Sequence, residues 1–342
     1  MILFCGLLLL SPIVQTVVAQ TPGGGGLDDL SGTISGKYVD SEAGFEIDLP
    51  EGWKGIKLGP LGAIVSPYGT PFSGDNSKAS MIINIVSVAM LVEGVRTFAG
   101  TEPSLDTPTN VTSNESAFRC NDEKSYLYLN GMITMHAVSE CKAADESQFT
   151  KSNIYNVATK KNLISVGLSS NSAESYEQFV DAFEASIQTL VVKNATDHRA
   201  MWNEALGLRS EIHGVRANGN DVNITIQSNS GISNFALDET QKRISFTVDG
   251  QNGTNGFTII PISRVLQGPY SVTLDGEVKN DYTIADDKIA GALLMEIGYR
   301  HSSHDIVITG TNVVPEFPFS AVGIIMIFVL GIVATLGRVR LF

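Results

Sequence analysis

Apolar and polar residues alternate in short blocks along most of this chain, and the pattern changes period once near its middle. Ile64–Ser66, Ser80–Val88, Met132–Ser139, Phe149–Thr159 and Leu163–Ser169 show period-2 or continuous β-branched runs, which predict strands. Tyr38-Val39-Asp40 and Gly44–Pro50 also read as strands, the second alternating apolar with acidic residues, and Glu51-Gly52-Trp53 comes next as a turn with an aromatic anchor. The period then shifts to that of a helix over Ser172–Leu190. Tyr176, Phe179, Val180, Phe183, Ile187 and Leu190 recur at three- and four-residue steps and share one face. Asn171 is the expected cap, with Glu174 three residues on, and Glu174, Glu177, Asp181 and Glu184 lie largely on the opposite side. A stripe of this kind packs on a sheet. Residues 35–192 are therefore expected to form an α+β unit, an antiparallel sheet with one packed helix.

Beyond a linker at 193–205, residues 206–311 read as all-β. Val222–Gln227, Ile244–Val248, Thr258–Ile262, Tyr270–Leu274, Met295–Tyr299 and Ile306–Thr309 alternate or run apolar. Asn218-Gly219-Asn220, Asp249–Gly253, Gln267-Gly268-Pro269 and Asp275-Gly276 separate them with turn chemistry. Short strands at such intervals predict a β-sandwich.

The two ends are apolar in a different way. Phe319–Gly337 holds 19 residues without a charge, enough helix to cross a bilayer core of about 30 Å. Arg338 and Arg340 come immediately after it, and basic flanks stay cytoplasmic, so 338–342 is expected inside the cell and everything before Pro315 outside. Residues 1–19 read as a signal peptide, with Val17-Val18-Ala19 at the positions a peptidase recognises, although no positive residue precedes the apolar core. An uncleaved signal anchor is the alternative. Residues 20–34, with the run Gly23–Gly26, read as a flexible linker.

Charge and cysteine usage sharpen this picture. The formal net charge is −13, which repels phosphate backbones and excludes nucleic acid as a partner. Cys5 leaves with the leader, and Cys120 and Cys141 remain on segments expected to be neighbouring strands. Outside the cell they read as a disulfide, two buried free thiols being the alternative. Asn110, Asn114, Asn194, Asn223 and Asn252 match the acceptor pattern for N-glycosylation, so the chain reads as a glycoprotein.

Three segments resemble known families. Gly44, Phe45, Ile47, Pro50, Gly52 and Trp53, together with Tyr176, Phe179, Phe183 and Ile187, resemble the PsbP-like family over residues 36–192. That resemblance implies an α/β/α layering around an antiparallel sheet. In photosynthetic members it implies an extrinsic photosystem subunit, some binding calcium or manganese, but no metal-ligand set carries over onto these residues. Ile244-Ser245-Phe246, Gly268–Val272 and Tyr299–Ile306 resemble the immunoglobulin-like modules that precede the anchor in archaeal surface proteins, which implies a stalk. Pro315, Glu316, Phe317 and Pro318, within 312–318 and ahead of the apolar run, resemble the PEF-type sorting signal of archaeal envelope proteins. This implies an archaeosortase that replaces the span with lipid, a plain membrane helix being the other outcome.

Catalytic patterns are missing. His301 and His304 stand three apart on a strand and point to opposite faces, with no third ligand near, so a shared metal is not expected. His136 reads as a packed histidine, Asp122, Glu123, Asp286 and Asp287 as turn charges, and Trp53 and Trp202 as core anchors. No hydrolase elbow, metalloprotease helix, phosphate loop or paired-cysteine motif occurs. The expectation is a non-enzymatic envelope protein without a cofactor, anchored at the cell surface with its first domain on a β-sandwich stalk. It would meet membrane lipid and an envelope or membrane-complex protein. The alternative is a ligand- or metal-binding accessory subunit of a membrane complex.

Overall fold

Successive side chains of the strands at Phe149–Thr159 and Asn162–Ser170 point to opposite faces of one sheet, and the cover over each face decides the rest of the architecture. The structure, a computed structural model, describes residues 33–67, 79–91, 119–143, 148–217 and 219–314. The leader, most of the glycine linker, Asn110, Asn114, the sorting motif, the apolar run 319–337 and the basic tail lie outside the described residues.

The first half contains β1 (Thr33–Ser35), β2 (Lys37–Asp40), β3 (Phe45–Asp48), β4 (Lys54–Lys57), β5 (Gly62–Ser66) and β6 (Ala79–Ser87). It continues with β7 (Arg119–Leu129), β8 (Met132–Lys142), β9 (Phe149–Thr159), β10 (Asn162–Ser170) and helix α1 (Ala173–Ile187). After β11 (Val191–Val192), which ends the first unit, the stretch expected as a linker holds β12 (Ala195–Thr196) and most of helix α2 (His198–Leu206). The second half has β13 (Arg209–Ala217), β14 (Asn220–Ser228), β15 (Gly231–Asp238), β16 (Arg243–Asp249), β17 (Asn255–Ile260) and β18 (Leu266–Gln267). It closes with β19 (Ser271–Leu274), β20 (Glu277–Lys279), β21 (Tyr282–Asp287), β22 (Ala292–Arg300), β23 (Ser303–Thr309) and β24 (Asn312–Val313).

One sheet of 14 strands runs through both halves in the order β1-β4-β5-β6-β10-β9-β8-β7-β21-β22-β17-β14-β13, with β12 on β9. Its pairings are antiparallel except at the seam, where β7 and β21 lie parallel with Lys124, Ser125 and Tyr126 opposite Ala285, Asp286 and Asp287. On one face of the first half, Tyr155, Val157, Ile164, Val166 and Leu168 pack with Phe183 and Ile187 of α1 into a buried core. Burial of each such side chain stabilises by about 1.5–3 kcal/mol. Ser172, one residue later than the expected cap, closes the N-terminus of α1 by accepting from the Ser175 N–H. At the β7–β8 hairpin Asn130 and Gly131 both take positive φ, as a type I′ turn requires, and the Asn130 Nδ2 donates to the carbonyls of Gln188 and Leu190 just past α1.

In the second half a five-stranded sheet, β15-β16-β23-β19-β20, faces the end of the long sheet. Ile224, Ile226, Met295 and Ile297 from one side meet Phe246, Val248, Ile306 and Ile308 from the other in a second core.

The α+β class with a transmembrane helix needs correction. The fold is β-rich: α1 and α2 have 15 and nine residues, and strands make both cores. Among the described residues no helix is long and apolar enough to cross a membrane. One amphipathic helix covers one face of part of the sheet. The opposite face carries the short helix α2, whose Met201 and Trp202 pack with Ala158 and Leu163, and hydrogen bonding continues sideways into the second half.

Candidate functional site

The face of the sheet turned away from α1 carries the candidate site. Register places Lys124, Ala137, Ile154, Gly167 and Ile82 in one row across β7, β8, β9, β10 and β6. The next row is Tyr126, Met135, Asn156, Ser165 and Asn84, and on the other side lies Asp122, Ser139, Ser152, Ser169 and Ser80. An apolar band thus lies between a mixed row and a polar one. A cavity of about 460 Å³ opens over these rows, closed at one side by His198 and Trp202 of α2 and at another by Asn280–Ile284 leading into β21. Both halves of the chain contribute walls.

Polar groups in the floor are already satisfied. The Ser165 hydroxyl donates to Asn156 Oδ1, and the Ser139 hydroxyl donates to Asp122 Oδ1 at 2.5 Å. At the seam the Lys124 Nζ donates to both Glu296 oxygens, at 2.6 and 2.8 Å, and the Thr283 hydroxyl donates to Glu296 Oε2 at 2.9 Å. Burial pushes the Lys124 ammonium pKa down against the pull of Glu296. The Tyr126 phenol beside them is pushed up, first by burial and then by the Glu296 charge. Arg199 grips Asp197 through two nitrogens and donates to Asp287 Oδ2 at 2.6 Å, tying α2 to β21. Asp287, expected as a turn charge, is buried, and its other oxygen accepts the Ile289 and Ala290 N–H groups.

His198 is the exception. It is completely buried, and Trp202 Nε1–H, one turn along α2, donates to its Nε2 at 3.2 Å. Burial holds the ring neutral, with its pKa pushed down to about 3, and Lys124 and Arg199 add to the fall. A neutral imidazole that accepts at Nε2 carries its proton on Nδ1. Among the described residues that Nδ1 has no hydrogen-bond partner. An unpaired buried donor costs about 1–3 kcal/mol.

The residues singled out by sequence fall elsewhere. Cys120 lies opposite Cys141 in the β7–β8 register with their sulfurs 2.10 Å apart, at the outer end of the cavity. Asn194, Asn223 and Asn252 are exposed. His301 and His304 do not share a site. His301 Nε2 meets the Ser230 hydroxyl at 2.7 Å and its Nδ1 meets Thr254, within a buried chain through Tyr299 and Thr258. His304 pairs instead with Asp275 at 2.6 Å. His136 stacks on Tyr155 at 4.4 Å and bonds to Asn153 at 2.8 Å. Trp53 packs edge-on against Phe179, while Trp202 serves His198. Among the described residues no three His, Cys, Asp or Glu side chains stand close enough to hold a metal ion.

Sequence reasoning does not single out Lys124, His198 or Glu296. Glu296 carries a signal, a single carboxylate inside the apolar run Leu293–Tyr299. His198 and Trp202, four apart, carry another once a helix is placed there.

No family model matches the chain, and no curated protein does. Among solved structures, the solution structure of cyanobacterial PsbP (CyanoP) from Synechocystis sp. PCC 6803 is similar at 12% identity, covering 50% of this chain and 98% of its own, with a TM-score of 0.28. It names the family that residues 36–192 resemble. At that score the likeness carries no argument about fold or function.

Proposed function

We propose that this chain is a non-enzymatic protein of the cell exterior in which the second half holds and presents the first. The observation that carries this reading is the seam: β7 and β21 share a ladder, and Lys124–Glu296 and Arg199–Asp287 tie the halves across it. A support fused through a sheet transmits position rigidly, which suits a stalk of the immunoglobulin-like kind. The Cys120–Cys141 bridge fits an oxidising exterior, and the charge of −13 fits a solvated surface rather than a nucleic-acid partner. The Pro315-Glu316-Phe317-Pro318 element fits processing by an archaeosortase, with lipid attached in place of residues 319–342.

Labelling intact cells with a membrane-impermeant amine reagent tests the location, and the mass of the mature chain tests the lipid. Limited proteolysis of the exposed protein tests the support. The expected result is full labelling and no separation of residues 33–192 from 206–314. Two independently stable fragments, or a chain protected until the cells are lysed, would overturn the proposal.

A further inference from the structure

The cavity over the open face of the sheet has features that presentation does not use. Its floor is apolar along Ile82, Ala137, Ile154 and Leu163, and its volume, about 460 Å³, falls within the range of small-molecule sites. Its wall contains a completely buried histidine whose Nδ1–H has no acceptor among the described residues. We propose that this cavity binds one small, uncharged, largely apolar molecule, which on entry displaces the side chains sealing His198 and takes a hydrogen bond from its Nδ1.

Charge decides the class. Asp122, Glu123 and Asp281 line the cavity and disfavour an anion. Lys124, the cation in the wall, is bound to Glu296 through both carboxylate oxygens. A cation finds little more: Asp122 accepts from Ser139, Asp281 is held by Lys279 at 2.7 Å, and the donor on His198 faces no base. What remains is apolar contact with Ile154 and its neighbours plus one unanswered N–H. A ketone, ester, ether or amide carbonyl on a hydrocarbon frame answers both. The site belongs to both halves, since His198 and Trp202 come from α2 and Tyr282 and Ile284 from β21.

Benzophenone tests this directly, being uncharged and apolar, with a carbonyl acceptor that crosslinks to neighbouring C–H bonds on illumination. The full chain, in its native membrane or envelope preparation, is titrated and the adducts are mapped by peptide mass analysis. Saturable labelling concentrated on Met135, Ile154 and Leu163 is expected, at least tenfold weaker for benzophenone-4-carboxylate. Ile154→Trp, which fills the floor, should abolish it, and an excess of diphenylmethane should compete with it in the unaltered chain, where folding is not in question. His198→Phe should weaken labelling about tenfold, while diphenylmethane, which has no acceptor, binds both forms alike. Adducts scattered over the surface, or unaffected by Ile154→Trp and by the competitor, would overturn the site. Equal labelling by the carboxylate would overturn the charge class, and unchanged labelling in His198→Phe would overturn the donor.

Discussion

Lys124 and Glu296, 172 residues apart in sequence, meet at 2.6 Å with both side chains almost sealed from solvent. The pair sits on β7 and β22, the strands on either side of β21. Two opposite charges so placed tolerate joint removal far better than the loss of either one.

Lys124→Met and Glu296→Leu singly should each cost about 3–5 kcal/mol, because each leaves a buried charge alone. The double substitution should recover most of that loss. Urea unfolding of the four proteins measures the coupling. Single costs below about 1 kcal/mol would mean that water reaches the pair.

Acid should weaken the fold early. His198 is held neutral, with its folded pKa near 3 against the ordinary 6.5, so the unfolded chain binds the extra proton between those values. Its contribution is fully present above pH 6.5 and is lost as pH falls toward 3, at up to about 1.4 kcal/mol per pH unit. Burial lowers His136 and His301 as well, so they act in the same direction. The unfolding midpoint should therefore drop between about pH 7 and pH 5, and His198→Phe should drop less. An identical pH profile in that variant would remove His198 from the explanation.

Gly250 stands where the His301 ring leaves no room, since a Cβ there would overlap the ring. That ring is fixed by Ser230 and Thr254, so it cannot swing aside without breaking both bonds. Gly250→Ala should destabilise by about 1–3 kcal/mol through overpacking, and proton resonances of the His301 ring should shift. A neutral substitution would show that the turn at Asp249–Gln251 gives way instead.

The bridge at the outer end of β7 joins residues 21 apart in sequence. In the chain-entropy account such a loop contributes about 3 kcal/mol. Cys120→Ser/Cys141→Ser should lower stability by that order, and alkylation of the unreduced, unaltered chain should find neither thiol free. Two labelled cysteines would refute the bridge.

Local periods explain which parts are readable in the sequence. Residues 152–157 and 163–168 read as strands because successive side chains serve the α1 core and the cavity in turn, and α1 shows its stripe because one face meets that core. Helix α2 reads as linker because it has nine residues and buries only His198 and Met201, too few to mark a stripe. The strands β13 and β15 escape a periodic reading for a related reason, since their exposed residues outnumber the buried ones. The seam leaves no local sign at all. A parallel pairing between strands so far apart in the chain depends on contacts that no local period encodes, and Lys124 and Glu296 look ordinary until they meet. The same gap hides the cavity, whose walls come from widely separated stretches of chain.

Parallel pairing of β7 with β21 also bears on how the chain can be divided. Cutting between Ala195 and Leu206 would leave two fragments, each with a bare strand offering unpaired amides and carbonyls. Each fragment would also keep half of an ion pair: Lys124 without its carboxylate on one piece, Glu296 without its ammonium on the other. Such pieces would seek new neighbours edge to edge, so recombination between relatives at this point would be selected against even though each piece retains its own core.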